Sequence, residues 1–426
     1  MIRRQSRLIR FAAPALALSL LGAACGGDDD DGAAAPEEAE TTEAEGTTIA
    51  AGPDTRAAKA RVDLASLLQE HVYLAAGATN AALAGLDADF SAAATAHDTN
   101  SVDLSEMVGS VLGADAEKAF LGLWRSHIGF FVNYATATAA GNADSADTAV
   151  SSLLGYTGDF TEFVKGALPS LDAKAVTTLL KTHVETLKGV IDAQAAKDHT
   201  GAYAKLRTAA AHTSAIAQGL IQAMATEFPK KLPGDSASSA TNLVSLLNNG
   251  LREHVFLTSA ATGAALGKRA EEFAGASEAL AQNSESITAS VAAVYGDAAG
   301  SSFGPLWEQH ITMVIEYTTG LATGDAAKSD KAVADLTNYA RDFGAFLNSA
   351  SPELPAEDVT TLVGTHVTTL KSIIDAQAAN DPVKAFTDLR AAAAHMGMIA
   401  EALTVAIVEQ FPALFPGAAA SRDDAT

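Results

Sequence analysis

Cysteine is nearly absent: Cys25 is the only one in 426 residues. An intramolecular disulfide is therefore excluded, and so are iron–sulfur and thiolate-zinc centres; the folded part must hold itself by packing. Aromatic residues make up only 6% of the chain, and no alternating β-branched runs signal strands. Positive charge is scarce, with 28 Lys and Arg against 51 Asp and Glu and a net charge of −23. Such a surface repels phosphate, so no nucleic-acid partner is expected. Beyond the N-terminus no apolar run approaches the length of a membrane span. Also missing are a Ser/His/Asp or Cys/His signature, a Gly-rich phosphate loop and a C-x-x-C-H haem attachment motif. The chain therefore reads as a binding protein, with redox chemistry at a bound copper the one enzymatic alternative left open.

The N-terminus reads as an address. Arg3, Arg4, Arg7 and Arg10 precede an apolar stretch from Phe11 to Leu21, then Gly22, Ala23, Ala24 and Cys25. That order resembles a bacterial lipobox, although Leu21 stands four residues before the cysteine instead of three. The expectation is a signal peptide over 1–24, lipidation at Cys25 and export to the outer face of the cell membrane. Residues 25–57 are rich in Asp, Glu, Ala, Thr and Gly, the composition of a disordered acidic tether. Residues 415–426 read as a disordered tail.

The body is duplicated. Val190–His212 (VIDAQAAKDHTGAYAKLRTAAAH) returns 183 residues later as Ile373–His395 (IIDAQAANDPVKAFTDLRAAAAH). Helical domains are expected over 58–229 and 241–414, joined by a Pro-, Gly- and Ser-bearing linker over 230–240. Each divides again by three. His71, His127 and His183 are 56 residues apart, as are His254, His310 and His366. The apolar pattern around Leu64, Leu67, Leu68, His71, Leu74 and Ala75 recurs at three and four, which is helical. Breaks fall at Gly141-Asn142, Lys197-Asp198, Gly324-Asp325 and Asn380-Asp381-Pro382, and again at Gly113, Pro169, Gly296 and Pro352. The fold class is all-α, with three αα-hairpins in each six-helix domain, closed as a bundle in preference to a row of stacked hairpins.

A second offset turns the period into a candidate site. Twenty-nine residues after the six histidines stand Asn100, Tyr156, His212, Asn283, Tyr339 and His395. In a hairpin whose turn lies midway, such pairs stand level on neighbouring helices. The expected layer holds His71, His127, His183 and His212 in one domain and His254, His310, His366 and His395 in the other. Asn100, Tyr156, Asn283 and Tyr339 would act as further ligands or orient the imidazoles. Tyr134 and Tyr317, seven residues after the middle histidines, fall on nearly the same helix face and join that group. Trp124 and Trp307 should wall the site. Asp192 and Asp375 fall on the opposite face, where Arg207 and Arg390 are expected to pair with them; Lys188 and Lys371 are also off the face. His97 and His199 are off the lattice and are expected in solvent.

Imidazole ligates Zn, Cu, Ni and Fe. No carboxylate occupies the lattice, so a carboxylate-bridged di-iron or calcium site is not expected. The expected cargo is copper first and zinc second, with Met396 and Met398 beside His395 as further help for Cu(I). Capture, buffering or transfer of metal follows. A noncovalent haem bundle and a metal-free structural module of the cell envelope are the alternatives.

The run Trp124-Arg125-Ser126-His127-Ile128-Gly129-Phe130-Phe131, with Tyr134 and with Arg207 before Ala209-Ala210-Ala211-His212, resembles a poorly characterised family of exported helical domains. These occur as tandem modules in bacterial secreted proteins and lipoproteins, some labelled copper amine oxidase-like. The resemblance spans 58–229 and 241–412 and implies an extracytoplasmic module, with no catalytic residues to carry over.

Overall fold

The computed structural model describes residues 50–418. The expected signal peptide, Cys25 and the expected tether up to residue 49 lie outside the described residues, as do 419–426. Twelve α-helices and a short 3-10 turn at Pro412–Leu414 account for the architecture, with no strand among the described residues. The first repeat contains α1 (Arg56–Ala84), α2 (Asp87–Leu112), α3 (Ala114–Ala139), α4 (Ala143–Ala167), α5 (Ala173–Ala195) and α6 (His199–Glu227). The second contains α7 (Ser239–Leu266), α8 (Ala270–Tyr295), α9 (Asp297–Thr323), α10 (Ala326–Ala350), α11 (Ala356–Ala378) and α12 (Pro382–Gln410).

The helix ends follow from the punctuation residues. Asn142, Asp198, Asp325 and Asp381 each cap the helix that follows, their side-chain oxygens accepting a first-turn N–H. Gly113 and Gly296 sit at φ 97° and 88° and are the single residues separating α2 from α3 and α8 from α9. A side chain is strained in that left-handed region, so glycine permits a reversal within one residue.

Each repeat is a closed ring. Successive helices pack side by side, and α6 returns to α1 as α12 returns to α7. Within the ring α1, α3 and α5 also touch one another, as do α7, α9 and α11. Three helices therefore line each bundle axis and their hairpin partners lie outside. This is the closed arrangement, and it directs one face of each lining helix inward.

The two repeats belong to one compact unit. α1 packs on α7, α6 on α8 and α12 on α2. Tyr73 and Phe256, equivalent across the duplication, stack with ring centroids 4.6 Å apart. Glu70 takes Arg252 at 3.2 Å, both side chains 5% exposed, and also Arg390, which reaches Asp103 as well. Glu253 takes Arg207 at 3.1 Å and the Tyr73 hydroxyl at 3.0 Å. The arginines expected to pair with Asp192 and Asp375 thus serve the contact between repeats. The aspartates are closer to lysines one turn away on their own helices: Lys188 lies 2.7 Å from Asp192, and Lys371 lies 2.6 Å from Asp375.

Order extends past the boundaries drawn from composition. Ala50 and Ala51 accept hydrogen bonds from Asp235 N–H and the Ser238 hydroxyl, so the start of the body packs on the segment between the repeats. Phe415 and Ala418 are buried against Ala240, Ile407 and Val408. Those two residues of the expected tail are part of the packed body. Among the described residues one helix, α12, is long and apolar enough to cross a membrane, contrary to the reading of the sequence; here it is packed against α7, α11 and α2. Its apolar character comes from covering neighbours on several sides.

Candidate metal centre

The three lining helices of each repeat bring one histidine apiece to the axis. His71, His127 and His183 come from α1, α3 and α5, and His254, His310 and His366 from α7, α9 and α11. Within each triad one nitrogen per ring lies within 4.8 Å of the others. The Nε2 atoms of His71 and His127 face each other at 3.5 Å, and those of His254 and His310 at 3.3 Å. Two nitrogens bound to one ion at about 2.0–2.1 Å stand about 3.3–3.6 Å apart at tetrahedral to trigonal angles. The observed pairs have that spacing. The third ring stands further off, His183 with its centroid 5.8 Å from that of His71 and His366 5.7 Å from that of His254.

All six imidazoles are buried, none more than 7% exposed. Burial, then the neighbouring imidazoles, holds His71, His127 and His254 well below the usual histidine range. Burial brings His183 and His366 to about 4 and His310 to about 3. The rings are therefore neutral at pH 7, the form that ligates metal. Several of their nitrogens have no protein partner: Nδ1 of His183 and His254 and both nitrogens of His366. The backbone carbonyls of Trp124 and Trp307, three residues earlier on the same helices, act on His127 and His310 and partly offset the effect of burial. Each unpartnered buried nitrogen costs about 1–3 kcal/mol.

Aromatic walls fix the rings. Trp124 lies 4.5 Å from His127 and 4.8 Å from His71, and Trp307 repeats the arrangement at 4.6 Å from His310 and 5.0 Å from His254. Tyr156 stacks on His127 at 4.8 Å and Tyr339 on His310 at 5.2 Å. Beside His127 and His183 a cavity of about 40 Å³ is lined otherwise by apolar groups such as Leu68, Leu104 and Leu180. About 20 Å³ lies beside His310 and His366. Such volumes take a few waters at most. Among the described residues the cavities that touch the triads, including one of about 60 Å³ at His71 and His97, are smaller than a macrocycle.

The lattice thus divides by role. His212 and His395 do not join the triads, because they stand on the outer helices α6 and α12. Their Nε2 atoms lie 2.8 Å from the carbonyls of Leu179 and Leu362, four residues before His183 and His366. Asn100 and Asn283 make the same contact at 3.0 Å, donating Nδ2–H to the carbonyls of Leu67 and Gly250. These four side chains latch each outer helix to its inner partner at the height of the site. The level pairing of the two offsets therefore holds. What spacing alone could not say is which helix of a hairpin faces the axis.

Tyr134 and Tyr317 are buried but are not ligands either. Their hydroxyls donate outward to Asp192, at 2.5 Å, and to Asp375. Lys188 and Lys371 lie 5.2 Å above the rings. The ring is buried as its phase predicts, but its length brings the hydroxyl to the partly buried Asp192 or Asp375 and not to the triad. Met396 is a core residue and Met398 is exposed, so neither follows His395 into a site.

His97 is the residue that the lattice missed. It lies inside α2, is 5% exposed, and its Nε2 stands 2.7 Å from His71 Nδ1. The signal was present: His97 precedes Asn100 by three residues, which is the same helix face. His199 opens α6 and is half-buried.

No family model, curated protein or solved structure matches the chain.

Proposed function

We propose that this is an exported, membrane-tethered lipoprotein that holds one transition-metal ion in each repeat, copper first and zinc second. The ligands are His71, His127 and His183 in one site and His254, His310 and His366 in the other. The observation that carries the reading is the Nε2–Nε2 spacing of 3.5 and 3.3 Å between neutral, buried imidazoles. A hydrogen bond between two imidazoles accounts for one pair of nitrogens in each repeat; the third buried histidine within 4.8 Å of both is what a metal ion explains.

Copper is preferred on charge. Neither triad contains a carboxylate, and the adjacent Glu70 and Glu253 are engaged with arginines between the repeats. The cost of burying an ion rises with the square of its charge. Three neutral nitrogens in an apolar pocket therefore hold Cu(I) at lower cost than any divalent ion. Zinc is the second choice, since three histidines and a water complete a tetrahedral site. The lipobox-like Cys25 and the acidic run after it support a body held outside the membrane, where capture, buffering or transfer fits a site whose cavities among the described residues are small. The family resemblance to exported tandem modules points the same way.

X-ray absorption of the copper-loaded, full-length chain tests the ligand set. The expected first shell is imidazole nitrogen at about 2.0–2.1 Å with no sulfur. A shell of carboxylate oxygens alone would place the metal elsewhere on the acidic surface and reject the reading.

A further inference from the structure

We infer that the two centres are not equivalent: His97 is a positioning residue that makes the first-repeat site the tighter one, and the second-repeat site lacks it. This rests on the metal reading above. His97 lies 2.7 Å from His71 Nδ1, with ring centroids 4.6 Å apart. The duplication offset of 183 places Leu280 at the matching position of the second repeat. Leu280 is 4% exposed, so it fills the same buried place, and His254 Nδ1 is left with no partner.

The chemistry follows from the two nitrogens of an imidazole. When Nδ1–H of His71 donates to Nε2 of His97, the His71 Nε2 lone pair is free and aimed at the axis. The bond also holds the ring plane and makes the ligating nitrogen more basic. His254 has no partner at Nδ1, and its Nε2 meets only His310 Nε2 at 3.3 Å, so no bond on the far side of the ring holds the proton away from the ligating nitrogen, and metal binding must itself select the competent tautomer. Partners of this kind are worth about 10–100-fold in metal affinity.

The internal duplication supplies the controls. In the full-length chain His310→Ala isolates the first site and His127→Ala isolates the second. Competition titration with a Cu(I) chelator should find the first site about 10–100-fold tighter. His97→Leu should remove that advantage, and Leu280→His should confer it on the second site. His97→Gln should restore part of it, since its carbonyl oxygen can accept from Nδ1–H. Leu at this position is already packed in the second repeat, so His97→Leu should keep the fold, which a metal-free melt checks. Equal affinities at the two sites, unchanged by His97→Leu, would overturn the inference. A fourth nitrogen in the first site's absorption spectrum that disappears in His97→Leu would make His97 a ligand and overturn its positioning role. Absence of uptake at both sites would overturn the metal reading itself, and this inference with it.

Discussion

Glu70→Gln is expected to cost about 3–5 kcal/mol of folding stability, the penalty for leaving a buried charge without its partner. Glu70 sits between Arg252 and Arg390 at the junction of the repeats, and both Glu70 and Arg252 are 5% exposed. The glutamine keeps the shape and removes the charge, so two guanidinium groups lose their counter-ion where water does not replace it. Arg390 retains Asp103, which softens the loss on that side. Glu253→Gln is the internal comparison. Its pair with Arg207 is more exposed, at 19% and 12%, and it should lose less, about 1–3 kcal/mol. Denaturant unfolding of the two variants measures both. A loss under about 1 kcal/mol for Glu70→Gln would mean that the junction does not depend on its ion pairs.

The metal-free protein should also be acid-labile in a defined window. In the unfolded chain each histidine titrates near pH 6.5. In the folded protein burial brings His97, His183 and His366 to about 4 and His310 to about 3, and holds His71, His127 and His254 well below the usual range. Below pH 6.5 the unfolded state therefore binds protons that the folded state refuses. Stability from these groups is complete above that pH and is lost as the pH falls toward 4. Each group contributes a slope of about 1.4 kcal/mol per pH unit, and several act together. The melting temperature should drop steeply between pH 6.5 and 4.5. A flat profile over that range would mean that the triads are hydrated and accept protons in place.

Much of this was legible in the sequence because duplication wrote it more than once. The helix breaks at Gly113, Gly296, Asn142 and Asp381 are local chemistry, and the helices end where those residues require. The 56-residue period carries the convergence of six histidines, since equivalent hairpins closed into a ring bring equivalent residues to one height. His212, Tyr134 and His97 were misplaced for three separate reasons. Spacing does not distinguish inner from outer helices, which decides His212. Phase gives a ring's direction and not its reach, which decides Tyr134. His97 lies off both offsets, which decides it, and its counterpart Leu280 shows that a difference between repeats is where two sites become unlike. The pairing of Arg207 and Arg390 was hidden because their partners lie in the other repeat.

The most direct test of the central claim is a metal count. Full-length protein equilibrated with copper and freed of loose ions should retain one ion per triad, two per chain. His127→Ala and His310→Ala should each remove one, and the double variant should retain none while still melting cooperatively. Two ions retained by a folded double variant, or none retained by the natural chain under saturating copper and zinc, would contradict the account.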